Sequence, residues 1–290
     1  MTLLKNLFRV SNIGLLLFFA LNALFVIRIF DLFIEESRLA ALVVYAVSIL
    51  LALSPLGEWQ SCWMIGARRP PPGPADMSGI MRRVAPLFGE VYKTARNHAP
   101  SVPKDIILKL SRNPTINACA IGRRTVCVNE GLFRLSDDAV KGILAHEFGH
   151  LALGHSLVRA LIGNSNFAVT LPMTLLSCLC GGINVLAKRY KKHLRFVEVL
   201  AAFFGMMLWW WHNFCELLLK YTSRQNEYDT DAYASALGYG RELAEGLTAI
   251  ALTADRKMSF LEKLHSTHPN LGNRIERLKK LDASSRGPRK

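Results

Sequence analysis

Residues 146–150 read His-Glu-Phe-Gly-His, inside the segment 136–153, SDDAVKGILAHEFGHLAL. Ser136 stands where a helix N-cap belongs, and Val140, Ile143, Leu144, Phe148 and Leu151 recur at helical spacing, so the spacing predicts an amphipathic helix from Asp137. His146 and His150 then lie on one face, about 6 Å apart along the axis, close enough to share one metal ion. Glu147 points to the side of that pair, where it can take a proton from a water held by the metal. This combination points to zinc-dependent peptide hydrolysis. A chance pattern on a surface helix does not fit the apolar stripe: a buried helix carrying two histidines and a glutamate needs partners for them, and a metal supplies those.

The surrounding composition is that of a membrane protein. Of 290 residues 51% are hydrophobic, and the mean hydropathy is +0.21. Residues 13–30 are interrupted only by Asn22 and Arg28, and residues 39–56 carry no charge. Each is about the length that crosses roughly 30 Å of hydrocarbon. The first lacks an Ala-x-Ala cleavage site and precedes a second apolar run, so both are expected to be retained helices rather than a signal peptide. The six cysteines (Cys62, Cys119, Cys127, Cys178, Cys180, Cys215) form no CxxC pair. They fit buried small hydrophobes in a reducing compartment better than a disulfide framework or a thiolate metal site.

The net charge of +14 follows topology. Lys5 and Arg9 precede the first apolar run, Asp31, Glu35 and Glu36 lie between the two, and Arg68, Arg69, Arg82 and Arg83 follow the second. The positive-inside rule places both ends of this hairpin in the cytoplasm. No nucleic-acid partner is expected, because no basic and aromatic interleaving accompanies the charge.

The chain divides on composition into a two-helix membrane anchor (1–66), a proline-rich linker (67–79), a first catalytic part with a small sheet and the motif helix (80–158), a second hydrophobic hairpin (159–221) and a second catalytic part (222–290). Residues 81–97 have helical spacing, and residues 105–110, 119–121 and 125–129 read as short strands, the last two joined by a turn at Gly122-Arg123-Arg124. The expected fold is mainly α: a polytopic helical membrane protein whose zincin-like catalytic domain contains a small β-sheet. The second hairpin, residues 160–187 and 196–219, carries a basic tip at 188–195 that two full crossings would place outside, against the rule. Two crossings are favoured over a hairpin that does not fully cross. His212 and Glu216, four apart beside Trp209-Trp210-Trp211, read as an interfacial polar cluster.

Two histidines leave a tetrahedral zinc in need of one more protein ligand and an open position for water. Leu153 and Ser156 occupy the positions where the metzincin pattern requires glycine and histidine, and His155 projects about 140° from His150 on a continued helix. A later carboxylate is the alternative. Glu227 is the best candidate, in the stretch 224–231, RQNEYDTD, where Asp231 lies one helical turn on and can hold a ligand from behind.

With Asn117-Ala118-Cys119-Ala120, the HEFGH helix and its following hydrophobic hairpin, Glu227-Tyr-Asp-Thr-Asp231 and Thr267-His-Pro-Asn-Leu-Gly-Asn-Arg274 in that order, the chain resembles the HtpX-type integral-membrane zinc endopeptidases, relatives of the CAAX prenyl proteases. The resemblance implies one Zn2+ per chain, held by His146, His150 and Glu227, with Glu147 as general base. It implies that His268 stabilises the oxyanion, that Arg274 pairs with Asp231, and that Asn117, Ala118, Cys119 and Ala120 bind substrate backbone as an added strand. It further implies membrane-protein or peptide substrates, the lipid bilayer as a partner, a bacterial inner-membrane location with the active site on the cytoplasmic side, and a role in membrane-protein quality control under stress. A homo-oligomer is compatible with it. The sequence departs from the family at Cys119, where phenylalanine is usual, and in the shorter stretch between Asp231 and His268.

Two rivals are distinguishable in the sequence. A non-catalytic scaffold with structural zinc would close the fourth position, and no fourth ligand is supplied. A CAAX-type processing enzyme needs more apolar segments than this chain has.

Overall fold

In the computed structural model, which describes residues 13–31, 38–69, 79–165, 167–190, 194–253 and 271–285, Ser136 adopts an extended backbone and its hydroxyl accepts from the Ala139 N–H at 3.2 Å. That cap starts the motif helix where the sequence places it. The helix runs Asp137–Leu153 and stops at Gly154, which takes the left-handed conformation (φ 78°) open to glycine at little cost.

Around it the element order is α1 (Ile13–Asp31), α2 (Arg38–Leu53), α3 (Pro55–Met64), α4 (Gly79–His98), β1 (Ile107–Ser111), β2 (Ala118–Ile121), β3 (Thr125–Asn129), a 3-10 turn (Glu130–Arg134), α5 (Asp137–Leu153), α6 (His155–Ser165), α7 (Phe167–Arg189), α8 (Arg195–Ala236), α9 (Gly240–Thr253) and α10 (Leu271–Ser285). The chain is thus mainly helical with one small sheet. Its described residues form two compact units, one within 55–160 and 223–285, the other within 13–54 and 161–222.

The first unit holds the sheet, ordered β1-β3-β2, with β1 parallel and β2 antiparallel to β3. Its core joins Val84 and Val91 of α4, Val126 and Val128 of β3, Leu144 and Phe148 of α5, Leu243 of α9 and Leu278 of α10. Two glycines of α5 let neighbouring helices approach. A Cβ on Gly142 would stand 2.2 Å from the Leu243 backbone nitrogen, and one on Gly149 would meet the Tyr233 ring and Thr230 at 3.1–3.3 Å. The second of these is the glycine inside the motif, so the motif encodes helix contact as well as chemistry.

The sheet edges differ. β1 is partly covered by a bridge between Arg68 and Leu110, while β2 pairs with β3 alone among the described residues. Asn129 N–H donates to Asn117 C=O at 2.9 Å. Antiparallel alternation then turns the peptide groups of Ala118 and Ala120 away from β3, to the open edge.

The second unit packs Val26 of α1, Ala41 and Tyr45 of α2 and Val169 and Met173 of α7, with Phe25 stacked on Trp211 of α8 at 5.2 Å. Among the described residues one stretch, His155–Arg189, is long and apolar enough to cross a bilayer, or two if α2 and α3 count as one broken span. In place of the uninterrupted run read over residues 39–56, the chain breaks at Ser54, and α3 begins at Pro55, a residue favoured in a first helical turn. Residues 70–78 of the linker, 191–193 of the basic tip, and His268 lie outside the described residues.

Candidate active site

The expected ligand trio meets. His146, His150 and Glu227 are buried, and their donor atoms lie within 4.8 Å of one another. His146 Nε2 is 3.4 Å from Glu227 Oε2 and His150 Nε2 is 3.5 Å from Glu227 Oε1. Metal–ligand bonds of about 2.1 Å give a tetrahedron edges of about 3.4 Å, so these separations fit a zinc-sized ion bound by two imidazoles and one carboxylate. The helical pitch supplies the first two donors from α5; Glu227 comes from the unbroken helix α8, whose inward face also carries Thr230 and Asp231.

Behind the trio lies a closed charge network. Arg274 of α10, 1% exposed, grips Asp231 with two bonds of 2.8 and 2.7 Å and reaches Glu227 Oε2 at 2.7 Å. Asp231 Oδ1 stands 3.0 Å from His146 Nδ1. It is positioned to accept that N–H and so to turn Nε2 toward Glu227. The pairing of Arg274 with Asp231 is therefore present, and Arg274 also touches Glu227 itself. A buried guanidinium amid two carboxylates satisfies groups that would otherwise be costly to desolvate.

The network sets the protonation of the metal-free site. Burial opposes charge on His146, but the Asp231 and Glu227 carboxylates overcome it and hold its pKa up at about 9. His150 moves the other way, pushed down chiefly by burial. Although burial works against its charge, Asp231 is held below the usual carboxylate range by His146 and Arg274.

Glu147 faces the sheet: its Oε2 accepts from the Ala120 N–H at 2.7 Å. This is one of the outward amides of β2, so the carboxylate and the open strand edge share one place. Asn117 is exposed at the start of that strand, Ala118 and Ala120 are buried, and Cys119 is half-buried opposite Cys127. Contact with Cys127, burial and nearby Glu147 push the Cys119 thiol up, so it stays protonated and is a poor nucleophile.

One neighbour escapes sequence reasoning. On a continued helix His155 would point away, but Gly154 ends α5 and re-aims the chain. His155 Nδ1 comes to 3.3 Å from His150 Nδ1, with ring centres 5.4 Å apart. It therefore meets the ring nitrogen of His150 that faces away from Glu227. The only signal for this is the glycine directly before His155. His212, by contrast, is exposed and joins no ligand group among the described residues.

A buried His-His-Glu trio beside a carboxylate at an open strand edge is the arrangement of a metallopeptidase. The profile of peptidase family M48 matches residues 88–282. A protease HtpX homolog of Neisseria meningitidis is 29% identical over 215 residues, covering 67% of this chain and 72% of its own length. The protease HtpX of Escherichia coli is 27% identical over 226 residues, with 67% and 72% covered. The crystal structure of S. mikatae Ste24p is similar at 20% identity and a TM-score of 0.49, over 87% of this chain and 60% of its own. The chain belongs to peptidase family M48 and is a metalloendopeptidase of the HtpX type.

Proposed function

We propose that the protein is a membrane-embedded zinc endopeptidase that cleaves cytoplasmic parts of membrane proteins. The observation that carries this is the His146–His150–Glu227 trio at tetrahedral spacing, with Glu147 on the strand edge beside it. In this reading His146, His150 and Glu227 hold one zinc per chain. When bound, zinc lowers the pKa of a ligated water toward about 7 and polarises a carbonyl. A substrate segment pairs with the open edge of the stretch from Asn117 to Ala120, through the outward peptide groups of Ala118 and Ala120, which presents its scissile carbonyl beside Glu147. Glu147 takes the proton of the attacking water and hands it to the leaving amine. Asp231 and Arg274 hold His146 and Glu227 in place, and His268 steadies charge on the carbonyl oxygen.

The membrane part of the proposal rests on the apolar helices of the second unit, whose outward residues suit lipid. The distribution of lysine and arginine supports a site on the cytoplasmic face of a bacterial inner membrane, and quality control of membrane proteins is the role this placement serves.

Purified wild type should carry one zinc per chain and cleave a panel of membrane proteins. Glu147→Gln should keep the metal and lose activity by about 10²–10⁴-fold. Undiminished cleavage by that variant would remove Glu147 from the mechanism, and zinc well below one per chain in chelator-free wild type would remove the ligand set.

A further inference from the structure

Helix α3 belongs to the unit that carries the site, yet it has two unlike faces. Its inner face is docked on the β2–β3 hairpin. Glu58 accepts from the Thr125 hydroxyl and from the Arg123 N–H, and Cys62, 2% exposed, packs on Ile121 and Cys127. Its outer face leaves Leu56 63%, Trp59 64%, Trp63 73% and Met64 70% exposed. Four large apolar side chains on the outside of a ten-residue helix form a patch that water alone does not explain.

Beside the patch a cavity of about 380 Å³ opens between α3 and β1, lined by Trp59 and Trp63 together with Arg69, Lys109, Arg124 and Glu58. Arg124 is paired with Asp105. Among the described residues Arg69 and Lys109 make no ion pair, and Glu58 spends its carboxylate on Thr125 and Arg123. Tryptophans next to unpaired cations are the composition that seats at the headgroup level of a bilayer, and the cations favour anionic lipid. The position in the chain agrees: the apolar helix α2 ends at Leu53, two residues before α3 begins. A protein partner could also use tryptophans, but it would have no need of an apolar helix directly before them.

We propose that the outer face of α3 lies in the headgroup layer and that the adjoining cavity holds the phosphate of an anionic phospholipid. Leu56, Trp59, Trp63 and Met64 enter the acyl boundary, and Arg69 and Lys109 meet the phosphate. Because Glu58 ties α3 to the turn joining β2 and β3, lipid bound here braces the strand edge that stands beside Glu147. The inference adds a lipid site to the proteolytic reading and does not need that reading to hold.

The test uses the full chain in nanodiscs of phosphatidylcholine with or without phosphatidylglycerol carrying a photoreactive group near its headgroup, with adducts mapped by mass spectrometry. Adducts are expected on residues 55–69 and at Lys109. At about fivefold per cation, Arg69→Gln with Lys109→Gln should reduce them about 25-fold. Circular dichroism and bound zinc should be unchanged, which separates this result from misfolding. Excess inorganic phosphate should leave the adducts in place. Adducts confined to α1, α2, α7 and α8 would overturn the proposal, as would equal labelling by a phosphatidylcholine probe. Loss of labelling in phosphate would make the cavity a free-phosphate site, and protection of residues 55–69 by a co-purifying protein would make it a protein interface; either overturns it.

Discussion

In the unit that carries the site, Leu144 and Phe148 are fully enclosed, whereas in the other Leu50, Leu175 and Phe203 stand 66%, 59% and 47% exposed. The polar residues are reversed as well. The first unit buries Glu227, Asp231 and Arg274, and the second turns runs of leucine and valine outward. Side chains of one kind thus occupy opposite places in one chain. The first unit encloses a core and a charged site away from water; the second leaves large apolar side chains along the outside of its helices. What stabilises one should be indifferent to the other, and substitutions can test that.

The largest effect is expected where charge is buried. Arg274→Met strips Asp231 and Glu227 of their buried guanidinium partner, and breaking such a network costs about 3–5 kcal/mol. Chemical denaturation should show the site-bearing unit destabilised by that amount while the helicity of the apolar unit persists. A uniform loss of both would show that the units do not fold separately.

Next come two leucines chosen from the two settings. Leu144→Ala removes a fully buried side chain beside the motif and should cost about 2–5 kcal/mol. Leu50→Ala trims a residue 66% exposed and should change stability in detergent by less than about 0.5 kcal/mol. Equal penalties would mean that Leu50 is covered by protein, and the contrast between the units would narrow.

The same contrast explains what could be read from the sequence. The motif helix was legible because its cap, its apolar stripe and its two histidines obey one period. Glu227 was legible because its spacing to Asp231 places both on one face of α8. His155 was not, because Gly154 replaces the helical angle with a left-handed turn and sends the next helix back toward His150. The role of α3 was hidden too: residues 39–56 read as one apolar run, and only packing shows that the chain breaks at Ser54 and docks Glu58 on Thr125. Periodicity sees faces of elements, and it does not see where a break re-aims the residues that follow.

His155 tests that point at a smaller scale. Substituting a residue that orients a metal-binding histidine costs about 10–100-fold in metal affinity. His155→Phe should weaken zinc binding by that factor in a chelator competition, and His155→Gln, which can still bond the His150 ring, should restore part of it. Affinity unchanged in the phenylalanine variant would reduce His155 to packing.

The remaining effect concerns protons. In the metal-free protein His146, with its pKa held at about 9, is charged at neutral pH, and a metal ligand must be neutral. Metal binding should therefore release about one proton per chain at neutral pH, and affinity should rise about tenfold per pH unit up to about 9. The linkage to stability has a definite sign. The folded pKa lies above the unfolded value of 6.5, so this group's contribution is complete below about 6.5 and disappears as the pH climbs through about 9. Asp231 contributes in the opposite sense: its depressed pKa stabilises above the ordinary carboxylate value of 3.8 and is lost as the pH falls below it. Metal-free chain titrated from pH 6 to 10 should thus lose stability with rising pH in the site-bearing unit, while zinc-loaded chain, in which the metal takes the proton's place, should not. Calorimetry in buffers of different ionisation enthalpy counts the proton directly. A count near zero at neutral pH would mean that Asp231 and Glu227 do not hold His146 charged, and that Arg274 alone balances both carboxylates.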